Sequence, residues 1–282
     1  MPSAALRVGA LQLDPVEGEV ATNVATLARW VRVAGDAGVR LLVTPEAVTT
    51  GYDLDLLAGP LPRLDADATA PGGWLEPLQE AVDASGVVVV LDTALETEPD
   101  TGGSSVRTLS DVVLRPVRPP VVAYAKQHLH PPERAHLTAG PHGASLVVDG
   151  VVAGLGICHD AGFPEHAADA AAGGAELYVV SGAFFPGGSA RRELQHAARA
   201  LDNGMYVAFA GLVGGRHRCV GGSAVYDPEG VRVADVGETG PGLAVADVDP
   251  DRLADVRTRL TMHAERRDLG ERVLLDLDAP PG

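Results

Sequence analysis

The chain has 282 residues, 46% of them hydrophobic, which is enough apolar material for a substantial buried core. Its 38 acidic residues outnumber 22 basic ones, and the formal net charge of −16 argues against a nucleic-acid-binding surface, because such surfaces concentrate Lys and Arg. Two cysteines are too few for a disulfide framework, and no window approaches the roughly 18 consecutive apolar residues of a membrane span. We therefore expect a cytoplasmic α/β protein with neither nucleic-acid nor membrane partners.

Strand and helix patterns alternate along the chain. Short apolar runs predict strands, and apolar residues spaced three and four apart predict helices. The predicted strands are Leu6–Leu13, Val39–Val43, Val87–Leu91, Val112–Leu114, Val121–Ala125, Val152–Ile157, Ala175–Val180, Met205–Ala210, Gly222–Tyr226, Val231–Val236 and Leu243–Val248. The predicted helices are Val20–Ala37, Trp74–Ala84, Pro164–Ala172, Ser189–Asn203 with Ser189 as its cap, and Pro250–Arg257. Residues 53–73 and 96–105 predict exposed loops, and no repeat or composition break divides the chain, so we count residues 1–282 as a single domain.

Cys158 lies where a strand changes into a helix. The strand Val152–Ile157 follows a tight turn predicted at Asp149-Gly150, and Pro164 marks the start of the next helix. The carboxyl ends of strands in α/β sheets are where ligands bind. An unpaired cysteine is nevertheless more often an inert core residue, so this stretch alone does not identify a catalytic thiol.

Three other polar residues follow predicted strands in the same way. Glu46 comes directly after Val39–Val43, and Lys126 and Glu133 lie in a loop, dense in ionisable groups, after Val121–Ala125. A thiol that cleaves amides needs a base to take its proton, and its tetrahedral intermediate needs a cation or N–H donor for the oxyanion. Glu46 and Lys126 could supply these two functions for Cys158.

The sequence around each of these residues resembles a motif of the nitrilase superfamily, the carbon–nitrogen hydrolases with a Glu-Lys-Cys site. The matching patches are Leu42-Val43-Thr44-Pro45-Glu46 with Gly51-Tyr52, Tyr124-Ala125-Lys126 with His128-Leu129, Glu133 and Gly140, and Gly156-Ile157-Cys158-His159-Asp160 with Phe163-Pro164-Glu165. Three patches in the family's order, at compatible separations, make a specific match, and the resemblance covers essentially the whole chain.

The resemblance implies both a fold and a site. The fold is a four-layer αββα sandwich that usually forms a homodimer, and the tail from about residue 258 is a candidate for packing on the partner subunit. The implied roles are Cys158 as nucleophile, Glu46 as general base and acid, Lys126 as oxyanion partner, and Glu133 as a second glutamate that positions the substrate or Lys126. We expect no cofactor and no metal.

The same resemblance suggests the substrate-binding residues. The backbone N–H of His159 is the expected second oxyanion donor, and Tyr52 and the Phe184-Phe185 pair are candidates for the pocket wall, although single aromatic residues often only pack in a core. Ala161-Gly162 departs from the family, because many members carry a bulky residue and an arginine there. The identity of the substrate therefore cannot be transferred.

Two other kinds of site are open alternatives. His159 could be the base of a papain-like Cys/His pair, but neighbouring side chains on an extended backbone point to opposite sides. A metal could bind the histidines of the lysine loop, although their spacing matches no helical ligand pair. These histidines are His128, His130, His136 and His142.

The most specific hypothesis is a thiol hydrolase that cleaves a small amide or N-carbamoyl compound through a thioester on Cys158 and releases ammonia or an amine. Nitrile hydrolysis is disfavoured, because Cys158-His159-Asp160 replaces the Cys-Trp-Glu that is typical of true nitrilases. A catalytically silent scaffold and an acyltransferase that uses the same cysteine are the alternatives.

Overall fold

The computed structural model describes residues 5–97, 105–267 and 270–274. Its strands are β1 (Leu6–Gln12), β2 (Leu41–Val43), β3 (Val88–Thr97), β4 (Val106–Arg115), β5 (Arg118–Ala125), β6 (Ser145–Val148), β7 (Val151–Ile157), β8 (Leu177–Gly182), β9 (Tyr206–Gly211), β10 (Val213–Gly214), β11 (Cys219–Val220), β12 (Ala224–Tyr226), β13 (Arg232–Asp235) and β14 (Gly242–Val248). Its α-helices are α1 (Val20–Asp36), α2 (Leu54–Ala58), α3 (Glu76–Ser85), α4 (Pro164–Ala172), α5 (Ser189–Asn203) and α6 (Pro250–Arg259). Short 3-10 helices cover Pro131–Ala135, Cys158–Gly162 and Thr261–His263.

Two six-stranded sheets of the same plan form the centre of the molecule. Their strand orders are β14-β1-β2-β3-β4-β5 and β13-β12-β9-β8-β7-β6. In each sheet three adjacent strands are parallel, β1-β2-β3 and β7-β8-β9, and every other pair of neighbouring strands is antiparallel. Because β5 is antiparallel to β4, which is antiparallel to β3, β2 and β5 end at the same edge of their sheet.

The burial pattern divides the core into three apolar layers. Alternate residues of β1 point to opposite faces, so Leu6, Val8 and Ala10 join the layer between the sheets, whereas Leu11 packs with α1 and α3 on the outer face. On the other sheet, a third layer packs α4 and α5 against β8 and β9. Three apolar layers between four structural layers give the αββα sandwich and confirm the predicted fold class.

Most predicted elements exist, with shifted ends. Asp149 and Gly150 both have positive φ, 48° and 89°, as the predicted hairpin between β6 and β7 requires. The proposed cap of α5 was wrong, because Ser189 is the first helical residue and interacts with Glu238, and the N-cap is Gly188.

The loop predicted over residues 53–73 contains α2, whose N-cap Asp53 accepts a hydrogen bond from the Asp55 N–H at 2.9 Å. The exposed turn predicted over residues 96–105 lies largely in residues 98–104, which are outside the described ranges. Part of the C-terminal tail, residues 268–269 and 275–282, also lies outside them. Among the described helices, none is long and apolar enough to cross a membrane.

Candidate active site

The structure brings the ends of three strands together. Glu46 follows β2, Lys126 follows β5 and Cys158 follows β7 on the facing sheet. The ammonium nitrogen of Lys126 lies 2.7 Å from Glu46 Oε1 and 2.8 Å from Glu133 Oε1, and all three side chains are completely buried. A cation between two carboxylates offsets part of the cost of burying each charge.

Glu133 is the most firmly held member of this cluster. It sits in the 3-10 helix Pro131–Ala135, where its Oε2 accepts a hydrogen bond from the His130 N–H at 2.8 Å. Its Oε1 accepts a second bond from the Tyr52 hydroxyl at 2.6 Å, besides the bond from Lys126. Glu133 is therefore fixed as an acceptor and orients the lysine ammonium.

Glu46 has a different environment. Its Oε1 accepts from Lys126, and its Oε2 has no hydrogen-bond partner among the described residues. Burial raises the pKa of Glu46 to about 7, with Lys126 opposing the rise and Glu133 adding to it. A carboxyl group that titrates near neutral pH can both accept and return a proton.

Cys158 opens the 3-10 helix Cys158–Gly162 with a φ of +47°, in the left-handed region that few non-glycine residues adopt. Its thiol donates to the carbonyl oxygen of Ala183 at 3.7 Å. Burial, and then the carboxylate of Glu46, raise the pKa of the Cys158 thiol well above its usual range, and Lys126 acts in the opposite direction. The resting sulfur is therefore a thiol whose proton needs an acceptor, and Glu46 interacts with it directly.

Asp160 holds the cysteine turn against the lysine segment, a contact that sequence reasoning missed. Its Oδ2 accepts from the Ile157 N–H at 3.0 Å and from the Tyr124 hydroxyl at 2.7 Å. Its Oδ1 accepts from the backbone N–H of His128 at 2.8 Å and faces His128 Nδ1 at 2.9 Å. One buried carboxylate thus bridges the residue before Cys158 and two residues that flank Lys126.

The histidines of the lysine loop do not form one ligand set. His130 packs against His159 with ring centroids 5.7 Å apart, and His142 contacts the carbonyl of Gly143. His128 instead meets Asp160 and His166, and within the described ranges this trio is the group whose ligand atoms lie close enough, within 4.8 Å, for a metal ion. The Nδ1 and Nε2 atoms of His166 already contact the Tyr178 and Tyr124 hydroxyls at 2.8 and 2.9 Å, so the trio belongs to a hydrogen-bond network.

A cavity of about 260 Å³ opens above Cys158. Its lining residues are Tyr52, His130, Glu133, Cys158, His159, Gly162, Phe163, Ala183, Phe184, Phe185, Arg191 and Gln195. Tyr52, His159 and Phe184, the predicted substrate-binding residues, are all in the wall, and their role in binding stays a prediction. Burial lowers the pKa of His159, and the centroid of its ring lies 5.2 Å from the centroid of the Phe163 ring. Within the described chain no hydrogen bond joins this ring to Cys158, so the geometry gives no support to a Cys/His pair.

A second buried acidic group lies between the sheets near Glu46. Asp92 and Asp111 stand opposite each other on β3 and β4, and both are completely buried. Asp92 Oδ1 accepts from the Ala47 N–H at 2.5 Å, and its own N–H donates to Thr44 Oγ1 at 3.1 Å. Asp92 therefore holds the residues on both sides of the Pro45-Glu46 pair. The sequence signal for this buried group was an acidic residue that continues an apolar strand pattern.

Comparison with known proteins places this geometry in a family. The family model "Carbon-nitrogen hydrolase" matches residues 7–258. The chain is 31% identical over 270 aligned residues to hydrolase Rv0480c of Mycobacterium tuberculosis, covering 88% of this chain and 91% of the relative. It is also 31% identical over 256 residues to the deaminated glutathione amidase of Escherichia coli O157:H7, covering 87% and 91%.

A solved structure agrees with the sequence comparison. An amidase from Nesterenkonia sp. superposes with a TM-score of 0.74 at 25% identity, covering 93% of this chain and 97% of that one. The fold, the sequence similarity and the family model point the same way, and the chain belongs to the carbon–nitrogen hydrolases of the nitrilase superfamily.

Proposed function

We propose that this protein hydrolyses the C–N bond of a small amide or N-carbamoyl compound, with Cys158 as nucleophile. The observation that carries the proposal is the buried contact of Glu46, Lys126 and Glu133 beside a thiol at the floor of a cavity. The first half-reaction begins when the Cys158 proton passes to Glu46, whose Oε2 is unoccupied by other donors among the described residues. The sulfur then attacks the carbonyl carbon, and the carbonyl electron pair becomes an oxyanion.

Two donors are available to the oxyanion. Lys126 carries a full positive charge, because the neighbouring carboxylates and thiol outweigh burial and raise the pKa of its ammonium. The N–H of His159 belongs to the first turn of a 3-10 helix, where backbone donors have no partner within the helix. Each such donor contributes about 3–4 kcal/mol to transition-state stabilisation in enzymes of this kind.

Collapse of the oxyanion expels the nitrogen, which takes the proton held by Glu46 and leaves as ammonia or an amine. A thioester on Cys158 remains. Water then attacks it while Glu46 accepts a water proton, the C–S bond breaks, and the thiol regains its proton from Glu46 as the acid departs. Glu46 thus accepts a proton twice and donates a proton twice in each turnover, which suits a pKa of about 7.

Relatives support the covalent step and the amide class. The deaminated glutathione amidase of E. coli is by name an amidase. A cysteine-to-alanine mutant of the Nesterenkonia amidase was solved in complex with butyramide, and another mutant shows covalent addition of the acetamide moiety of fluoroacetamide at the active site cysteine. The cavity of about 260 Å³ here has room for an acyl group of that size.

The test is ammonia release from small amides, N-carbamoyl compounds and nitriles by the wild type, Cys158→Ala and Cys219→Ala. Cys219 is the matched control, because it is also a free cysteine and does not line the cavity. We expect activity on an amide or ureido compound that Cys158→Ala abolishes and Cys219→Ala retains. Ammonia release that survives in Cys158→Ala would refute the thioester route. Product analysis with an added primary amine separates transfer from hydrolysis, since a transferase forms the substituted amide at the expense of the acid, whereas a hydrolase forms mainly the acid.

The homodimer and the cytoplasmic location implied above remain proposals. Light scattering of the purified chain tests the first, and a monomer at micromolar concentration would contradict it.

A further inference from the structure

The wall of the cavity carries one cation that the proposed reaction does not use. Arg191 lies on the first turn of α5, and its guanidinium carbon is 5.6 Å from the centroid of the Phe184 ring. No hydrogen bond or ion pair to Arg191 is found among the described residues. The next residue is different, because Arg192 is buried and binds Glu238 at 3.1 Å. Arg191 is exposed, so the rim of the cavity carries a guanidinium that rests on an aromatic face and binds no anion among the described residues.

The other polar groups at this end of the cavity are also neutral or cationic. Gln195 follows Arg191 by four residues on the same helix, so both side chains lie on one face, and both line the cavity. Glu133 is the one carboxylate in the described lining, and Lys126, Tyr52 and the N–H of His130 occupy its two oxygens. No acid in this part of the wall competes for Arg191.

The turn after Cys158 lies next to these helix side chains. Gly162 has no side chain, and a Cβ built there would lie 3.5 Å from Gln195 Nε2. The same turn is attached to α5, because Arg199 donates to the carbonyl oxygens of Ala161 at 3.0 Å and Gly162 at 3.3 Å. The position of Arg191 relative to Cys158 is therefore fixed by hydrogen bonds between the two elements.

Resting on the proposed function, we propose that Arg191 and Gln195 bind a carboxylate at the far end of the acyl group, so that the preferred substrates are short amides carrying a second, ionised carboxyl group. Guanidinium matches a carboxylate with two parallel hydrogen bonds, and the Gln195 amide adds a donor. The chain carries a formal net charge of −16, and Lys126 is already balanced by Glu46 and Glu133. On a protein with this net negative charge, an arginine without an ion pair provides a local positive charge that attracts an anionic substrate.

The experiment compares two substrates of the same shape. Succinamate carries the carboxylate, and in 4-methylpentanamide an isopropyl group replaces it. We expect the wild type to prefer succinamate, and Arg191→Ala to lower the ratio of the two kcat/KM values about 10- to 100-fold, mainly through KM, because the contact is remote from the reacting bond. Arg191→Lys keeps part of the preference. Arg29→Ala, an exposed helical arginine outside the cavity wall, is the control and keeps the ratio.

Binding separates a failure of this inference from a failure of the proposed hydrolysis. Calorimetry with Cys158→Ala measures succinamate binding without turnover, and we expect the added change Arg191→Ala to weaken it by the same factor. If no amide is hydrolysed but this Arg191-dependent binding is found, the carboxylate site stands and the proposed hydrolysis falls. A wild type that shows no preference, a variant that weakens both substrates equally, or binding indifferent to Arg191 overturns the inference.

Discussion

Two groups of completely buried carboxyl side chains lie side by side in this protein, and they differ in their contact with a cation. Glu46 and Glu133 share Lys126, whereas among the described residues no cation forms an ion pair with Asp92 or Asp111, which face each other across two strands. Burial raises the pKa of Glu46 to about 7, with Lys126 holding it down, but it raises the pKa values of Asp92 and Asp111 well above their usual range.

The comparison shows how a buried lysine changes what a buried acid can do. Without a cation in contact, both aspartic acids favour their protonated, neutral forms, and the oxygen of Asp92 still accepts a hydrogen bond from the Ala47 N–H. With a cation beside it, Glu46 titrates in the range where an enzyme can exchange its proton. Similar burial thus produces a fixed acceptor in one place and a proton carrier in the other.

Replacing Lys126 by Met should leave Glu46 and Glu133 buried without a cation, as Asp92 and Asp111 are, and we expect this change to have the largest effect on stability. The two glutamates would be buried without a cation, so we expect the free energy of unfolding to fall by about 3–5 kcal/mol at pH 8, and less at pH 5, where the carboxyl groups take up protons. Urea denaturation at the two pH values measures this difference. The same variant with Glu46→Gln and Glu133→Gln should recover most of the loss. An equal loss at both pH values would show that Lys126 contributes packing rather than charge.

The titration of Glu46 should be visible in both activity and stability. We expect kcat/KM on a neutral amide to rise with pH through about 7 as Glu46 ionises, and Glu46→Gln to lower the rate about 10²- to 10⁴-fold. Because folding raises the pKa of Glu46 from 4.5 to about 7, the folded state binds more protons in this window. The free energy of unfolding therefore falls as pH rises from 4.5 to 7, by about 3 kcal/mol from this group, and Glu46→Gln removes that fall.

His159 provides the control for the pH profile, because it also lines the cavity and burial lowers the pKa of its imidazole. In His159→Gln the rise of activity near pH 7 should persist. Its disappearance would assign the titration to the imidazole and remove Glu46 from the role of base.

The sequence was sufficient to predict that three candidate site residues lie close together, because each comes shortly after a strand within a motif. Lys126 and Cys158 directly follow a strand and Glu46 comes three residues after one, so the order of elements and the geometry of sheets place them at shared edges. The apolar runs also predicted most of the strands, but the pairing of two sheets in a sandwich came from the family resemblance, because nearly every residue of β1 is buried and its pattern does not show which face meets the other sheet.

Contacts between distant elements could not be predicted in this way. The Asp92–Asp111 pairing depends on the register of β3 against β4, and the predicted third strand ended at Leu91, before the acid. Arg191 and Arg192 are indistinguishable locally, since only the rotation of α5 on its sheet decides which is buried. Asp160 was visible within the cysteine motif, but its bonds to Tyr124 and His128 require the facing sheet.

Replacing Asp111 by Asn should have the smallest effect and sharpens the comparison most. Asn keeps the shape and is neutral at every pH, as a protonated aspartic acid is, so we expect a change in unfolding free energy of about 1 kcal/mol or less at pH 5. A raised native pKa means that stability falls as pH rises above the unfolded value, and removing one such group should make the variant lose less stability than the wild type between pH 5 and 8. Asp92→Ala is the contrast, because it leaves the Ala47 N–H without its acceptor and should cost about 1–3 kcal/mol at pH 5, where Asp111→Asn costs little. If Asp111→Asn instead lost more stability than the wild type as pH rises, the pair would hold its negative charge in the folded protein, and the absence of a cation would not be what separates the two groups.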